Sequence, residues 1–248
     1  MSIPWLVDNP ELFPDVRFAL QEPNGLLAAG GDLSPRRLLN AYRRGIFPWY
    51  NKDPDELLLP DPILWWCPSP RSVLFLDQLK VSRSLKKTLR NGGFEVSFDN
   101  EVDRVIKHCA AERNYTSSTW IHPEMMAAYS ELARMGYVHS VETWFDNELV
   151  GGLYGVQIGA MFYGESMFSL KSNASKIALV YLCSFLKLQG VEMIDCQIKN
   201  PHLASLGAED IPLEFFLHHI QFACQQNLTK HWPREKKLPI DCYLAAYE

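Results

Sequence analysis

Two polar residues interrupt an otherwise apolar run, Met193-Ile194-Asp195-Cys196-Gln197-Ile198. At the two-residue period of a strand, Asp195 and Gln197 fall on one face and stand side by side. A carboxylate next to a carboxamide can form a hydrogen-bonded pair in which Gln197 presents its free end to a ligand. Glu165 sits at the end of another apolar run, between Tyr163 and Met167. Two readings of these three residues stand at this point. Each could satisfy buried backbone groups, as most buried polar side chains do, or together they could line a ligand site.

Aromatic residues beside clustered cations offer a second kind of chemistry. Trp49 follows Pro48 just after an arginine-rich stretch, and Trp120 lies in Thr119-Trp120-Ile121-His122-Pro123, between two elements. An aromatic ring near bound cations can stack an unpaired base, a contact worth ~1–3 kcal/mol. Spacing alone leaves core packing equally open for both.

The common catalytic signatures fail. Gly164-Glu165-Ser166-Met167-Phe168 starts like a nucleophile elbow but has Phe168 where the second glycine belongs. No GxxxxGK[ST] loop is present to cradle a nucleotide phosphate, and no histidine pair has HExxH spacing. The turn Arg90-Asn91-Gly92-Gly93-Phe94-Glu95 lacks the form of a coenzyme A pyrophosphate loop. Six cysteines (67, 109, 183, 196, 224 and 242) are scattered with no CxxC pair, which reads as reduced structural thiols rather than a zinc site.

The elements that must hold these residues follow from capping and periodicity. Ser34 suits a helix N-cap, Pro35 the first helical position and Gly45 the left-handed end. Arg36, Arg37, Asn40, Arg43 and Arg44 then share one side of that helix, opposite Leu38, Leu39 and Tyr42. Arg83, Lys86, Lys87 and Arg90 likewise share a face opposite Leu85 and Leu89. Residues 94–98 alternate as a strand, and helices are expected over 100–111 and 123–135. From Val138 the period becomes two. Val138–Phe145, an Asp146-Asn147 turn, Glu148–Gln157 and Ala160–Phe168 read as three antiparallel strands. A helix capped by Ser172 or Asn173 runs to Leu188 with Gly190 beyond it. A buried strand is expected at 192–198 and a last helix over 211–226. This order predicts an α+β fold, with helices packed on a mostly antiparallel sheet. The polar, proline-containing loop from Asn51 to Pro62 is either a domain boundary or a surface insertion.

Composition limits the classes further. The 248 residues are 47% hydrophobic and 21% charged, ordinary for a chain that buries a core. No apolar run reaches the ~18–20 residues of a membrane span, and the first fourteen residues lack the cationic start of a signal peptide. The chain is therefore expected to stay in the compartment where it is made. Between Leu33 and Arg44 the charge is +4 and between Arg71 and Arg90 it is +5. A net charge of −5 leaves −14 on the remainder. A polyanion would meet two basic patches on an acidic body that itself attracts cations.

Longer words in the sequence carry a family resemblance. Pro23-Asn24-Gly25-Leu26-Leu27-Ala28-Ala29-Gly30-Gly31-Asp32-Leu33-Ser34-Pro35 leads to Tyr42-Arg43-Arg44-Gly45-Ile46-Phe47-Pro48-Trp49. Ile63-Leu64-Trp65-Trp66, Gly164-Glu165-Ser166-Met167-Phe168-Ser169, Ile194-Asp195-Cys196-Gln197 and His202-Leu203-Ala204-Ser205-Leu206-Gly207-Ala208 follow in order. Together they closely resemble the bacterial leucyl/phenylalanyl-tRNA–protein transferases. The resemblance implies a small N-terminal domain (1–70) and a C-terminal domain (71–248) of the acetyltransferase-like GNAT superfamily, working without coenzyme A, metal or other cofactor. It implies transfer of Leu or Phe, and Met less well, from leucyl-tRNA or phenylalanyl-tRNA to the α-amine of proteins that begin with Arg or Lys. The product would be marked for degradation in the cytoplasm by an enzyme acting as a monomer away from membranes.

Roles follow from the same resemblance. Asp195, Gln197 and Glu165 are the implied catalytic residues. Leu153, Phe162, Met167, Leu179, Leu182, Leu186 and Ile194 would line the donor side-chain pocket. Trp49, Trp120, Tyr42, Tyr129 and Asn200 would hold the terminal adenosine and substrate backbone. Arg36, Arg37, Arg43, Arg44, Arg83, Lys86, Lys87 and Arg90 would meet tRNA phosphates. The alternatives are a coenzyme A-dependent N-acetyltransferase, a tRNA-dependent peptidyltransferase acting on a lipid-linked peptide, and a non-catalytic RNA-binding module.

Overall fold

Ser34 and Pro35 start the first long helix as their chemistry dictates, for the Ser34 hydroxyl accepts the Arg37 N–H and Pro35 sits at the N1/N2 position. The computed structural model describes residues 3–50, 62–111, 121–228 and 232–233. Its first strands are β1 (Trp5–Leu6) and β2 (Leu26–Gly30), followed by helix α1 (Pro35–Tyr42), β3 (Phe47–Pro48) and β4 (Leu64–Trp66). These form a sheet in the order β1-β2-β4-β3. Gly45 follows α1 at φ +73°, where an added Cβ would come within 3.1 Å of both Leu217 and Phe216. That close approach brings the end of α1 against the C-terminal part of the chain.

The second sheet begins five residues after Trp66. It is built from β5 (Arg71–Phe75), β6 (Glu95–Phe98), β7 (Val138–Phe145), β8 (Glu148–Ile158), β9 (Met161–Ser169), β10 (Met193–Gln197) and β11 (Glu209–Ile211). Its order is β11-β5-β10-β9-β8-β7-β6, with β10 and β9 parallel and the remaining neighbours antiparallel. Helices α2 (Arg83–Asn91), α3 (Val102–Ala110), α4 (Pro123–Arg134), α5 (Ala174–Leu188), α6 (Pro201–Ser205) and α7 (Leu213–Ala223) flank it. The class is α+β, as the sequence predicts.

The meander forms where the period changes. Asp146 and Asn147 link β7 to β8 with φ of 52° and 64°, the doubly left-handed pattern of a tight hairpin turn. α5 is buried along most of its fifteen residues, which explains the longest apolar run. Among the described residues no helix is long and apolar enough to cross a membrane.

Several expectations are corrected. Arg71, read as part of a basic patch, lies fully buried in β5, a strand the sequence analysis did not find. The last helix starts at Leu213 rather than 211, because Glu209–Ile211 pairs with β5 and Pro212 occupies the N-cap. Asn173 stands at the N-cap of α5 in a left-handed conformation and makes no capping bond. Instead the Ser175 N–H reaches the Ser169 hydroxyl. The alternation expected across Asp195 and Gln197 breaks at a register shift, with Gln197 at φ +64°.

Candidate active site

β9 and β10 run parallel in the second sheet with Asp195 opposite Tyr163, so Glu165 and Gln197, two residues further along each strand, come side by side. α5 covers the sheet beside them, and the end of β3 brings in Trp49. These elements enclose a cavity of about 840 Å³. Trp49, Glu165, Asp195, Gln197 and Asn200 all line it, so the residues picked out on sequence grounds share one space.

Glu165 is half-buried in this wall and held by three donors. The Tyr42 hydroxyl donates to Oε1 at 2.8 Å, the Tyr129 hydroxyl to Oε2 at 2.9 Å, and the Gln197 amide to Oε1 at 3.2 Å. The two tyrosine oxygens are themselves 2.6 Å apart. Three short oxygen–oxygen contacts are thus served by two hydroxyl protons while Glu165 is ionised. A proton on the carboxyl completes the ring. Burial pushes the Glu165 carboxyl up to about 7, although the two tyrosine hydroxyls and the Arg71 cation favour the charged form. Burial, with the Glu165 charge next, raises Tyr42 and Tyr129 well above the ordinary phenol range, so both remain donors.

Asp195 is engaged elsewhere. Arg71 Nε and Nη2 donate to its two oxygens at 2.8 and 2.6 Å, and both side chains are shielded from solvent. The guanidinium carbon lies 4.9 Å from the Phe47 ring centre and 4.7 Å from that of Phe216. One oxygen of Asp195 also accepts the Gln197 backbone N–H at 2.8 Å. This bond folds the end of β10 back on itself at the left-handed Gln197. The expected pairing of the Asp195 and Gln197 side chains is therefore replaced. Asp195 fixes the Gln197 backbone, and the Gln197 amide turns to Glu165.

Beyond the polar wall the cavity is apolar. Leu153, Phe162, Leu179, Leu182 and Ile194 line it, none more than 4% exposed, with half-buried Met167 beside them. Leu186, assigned to the same pocket, is fully buried and is not among the lining residues. It turns into the core behind the wall. Tyr42 and Tyr129 are also buried; they support Glu165 rather than line the cavity.

The basic helices divide less evenly than their spacing implies. Arg43, Arg44, Arg83, Lys87 and Arg90 are exposed, and Lys86 is half-buried. Arg36 is exposed and ion-paired with Glu11. Arg37 is a correction, because its side chain is fully buried, paired with Asp32 at 3.2 Å and bonded to the Val7 carbonyl. Helical phase put Arg37 with its cationic neighbours, but the preceding chain closes over it. Trp120 and the 51–61 loop lie outside the described residues. Arg71, His108 and His202 were missed. The two histidines line the cavity; His202 opens one of the words that carry the family resemblance but was given no role, and no motif marks His108. Among the described residues no group of His, Cys, Asp and Glu could hold a metal ion, and Cys67, Cys109, Cys183, Cys196 and Cys224 are free.

Comparison with known proteins now bears on this geometry. The family model for leucyl/phenylalanyl-tRNA protein transferase matches residues 73–221, and the model for that family's N-terminal domain matches residues 31–69. A Nitrosospira multiformis protein named leucyl/phenylalanyl-tRNA–protein transferase is 57% identical over 219 residues, covering 88% of this chain and 91% of its own. A Nitrosomonas eutropha protein of the same name is 53% identical over 236 residues, covering 92% and 97%. Among solved structures, FemX is similar with a TM-score of 0.43 and 10% identity, over 75% of this chain and 70% of its own.

Proposed function

The chain belongs to the leucyl/phenylalanyl-tRNA–protein transferase family, and from that premise we propose how its cavity carries out the transfer. The enzyme is an aminoacyltransferase that moves an aminoacyl group from tRNA to protein. The coenzyme A-dependent and binding-only readings give way to that membership.

The donor's leucyl or phenylalanyl side chain enters the slot formed by Leu153, Phe162, Met167, Leu179, Leu182 and Ile194. Its adenosine lies toward Trp49 and Asn200. Exposed Arg43, Arg44, Arg83, Lys87 and Arg90, with Lys86, meet the acceptor-stem phosphates, a contact sensitive to salt and largely blind to sequence.

An aminoacyl ester is already activated, so the chemistry needs only an aligned, neutral amine. The acceptor α-amine has a pKa near ~8. Its ammonium form gives one proton to ionised Glu165, and the nitrogen attacks the ester carbonyl. The N–C bond forms, the bond between the carbonyl carbon and the ribose oxygen breaks, and the second amine proton passes to the departing ribose oxygen. Glu165 suits the first step because its carboxyl titrates at about 7 beside the slot. Asp195 suits it less, since Arg71 occupies both of its oxygens. Gln197 orients the amine, and Asp195 with Arg71 orients Gln197.

Further parts of the reading rest on the family and the charge distribution. Acceptors begin with Arg or Lys, drawn to an acidic body and to Glu165. The product is a degradation signal in the bacterial cytoplasm. The enzyme works as a monomer, with a small N-terminal domain (1–70) and a catalytic domain (71–248).

One observation carries the proposal, namely that a carboxyl poised near neutrality shares a cavity with an apolar slot and Trp49. The test supplies labelled leucyl-tRNA with proteins that begin with Lys, Arg or Ala. Label should pass to the first two and not the third. Equal labelling of all three would overturn the acceptor assignment.

A further inference from the structure

The donor slot is the apolar end of the cavity, lined by Leu153, Phe162, Met167, Leu179, Leu182 and Ile194. Five of its walls are at 4% exposure or less, so each is packed from behind and its position is set by its neighbours. Phe162 forms part of this wall, and what stands behind it decides how far it can retreat. Gly155 backs one part of the ring so closely that an added Cβ would lie 2.4 Å from a ring carbon. Behind it, too, lies Trp232, from beyond the last helix, its ring centre 6.1 Å from that of Phe162.

Trp232 is itself held from several directions. Its ring stacks on His139 at 4.0 Å and an interplanar angle of 4°, and meets Phe185 at 4.8 Å and Phe98 at 5.6 Å. The indole N–H donates to Gln157 Oε1 at 2.6 Å. His139 is fixed in turn by Asp99 at 2.7 Å. Phe185 belongs to α5, the helix that supplies Leu179 and Leu182 to the slot. Trp232 therefore supports two of the elements that bound the slot, and a close-packed interior passes such constraints on.

We infer that Trp232 is a specificity-determining residue that sets the depth of the donor slot through Phe162 and Phe185, without touching the donor. This inference rests on the assignment of the cavity to the donor side chain. A phenyl ring reaches deeper than a leucyl group does, so a rigid tryptophan behind the floor disfavours Phe relative to Leu. Loss of the indole leaves space into which Phe162 can move.

The test measures kcat/KM for phenylalanyl-tRNA and leucyl-tRNA with one Lys-starting acceptor, for wild type, Trp232→Leu and Trp232→Phe. The ratio of the two constants cancels any loss of folded enzyme, so a purely structural role would leave it unmoved. Trp232→Leu should raise the Phe-to-Leu ratio about tenfold, near the lower end of what one methylene's fit is worth, and Trp232→Phe should raise it less. Should Trp232→Leu fail to fold, the sign of the shift in Trp232→Phe carries the test. A ratio unchanged within about twofold, or lowered, overturns the inference. Wild-type enzyme that transfers from neither donor would instead overturn the reading of the cavity itself.

Discussion

Protonating Glu165 completes its hydrogen-bonded ring with Tyr42 and Tyr129, so acid should silence it as a proton acceptor. Transfer should climb as pH passes through about 7, where burial has placed this carboxyl. In Glu165→Gln that limb should vanish and the rate should fall about 10²–10⁴-fold, the usual worth of a positioned acid–base group. A pH–rate profile of both proteins checks this. The same raised pKa bears on stability. Because the folded state holds the proton more tightly than the unfolded one, the stabilising effect is present below the ordinary value of 4.5 and is lost as pH rises to about 7. Asp195 differs in kind. Asp195→Ala would strand buried Arg71 without its partner and should lower stability by about 3–5 kcal/mol, measurable by urea unfolding. Gln197→Ala, which strands no charge, should lower transfer with little effect on stability. The residues themselves were legible in the sequence as polar interruptions of apolar strands. Their partners were not, since the Arg71–Asp195 pair joins residues 124 apart and no local pattern encodes it.

At the level of elements, periodicity located most of the second sheet. The β7–β8–β9 meander, α4 and α5 emerge where predicted because each is long enough for its period and its turn chemistry to agree. β5 escaped notice because its five residues open with an arginine, and a buried arginine is legible only once its carboxylate is known. The kink of β10 escaped because it depends on one bond from the Gln197 backbone to the Asp195 side chain. α6 has only five residues, too few to repeat a helical pattern. Helix α2 carries the clearest test at this scale. Leu85 and Leu89 are buried while Arg83 and Lys87 face outward on the opposite side. Arg83→Ala with Lys87→Ala should weaken tRNA binding and flatten the slope of log affinity against log salt by about 1–2. Arg37→Ala should leave that slope unchanged, because its guanidinium is buried against Asp32. Filter-binding titrations at several salt concentrations separate the two outcomes.

On the scale of the whole molecule, the site exists only because two sheets meet. Tyr42 from the first sheet's helix reaches Glu165 on β9, Phe47 packs on Arg71, and Trp49 lines a cavity together with residues of β9, β10 and α5. Family resemblance identified many of these residues from sequence, yet it could not tell cavity wall from core. Leu186 went to the core, and Tyr42 and Tyr129 became supports. The central claim is that one cavity receives the donor side chain, the adenosine and the amine together. The most direct measurement is a crystal structure with a non-hydrolysable leucyl-adenosine amide. The account predicts the leucyl group among Leu153, Leu179, Leu182 and Ile194, the adenine against Trp49, and the carbonyl carbon beside Glu165 and Gln197. An analogue bound elsewhere, or bound here with its leucyl group outside the slot, would contradict it.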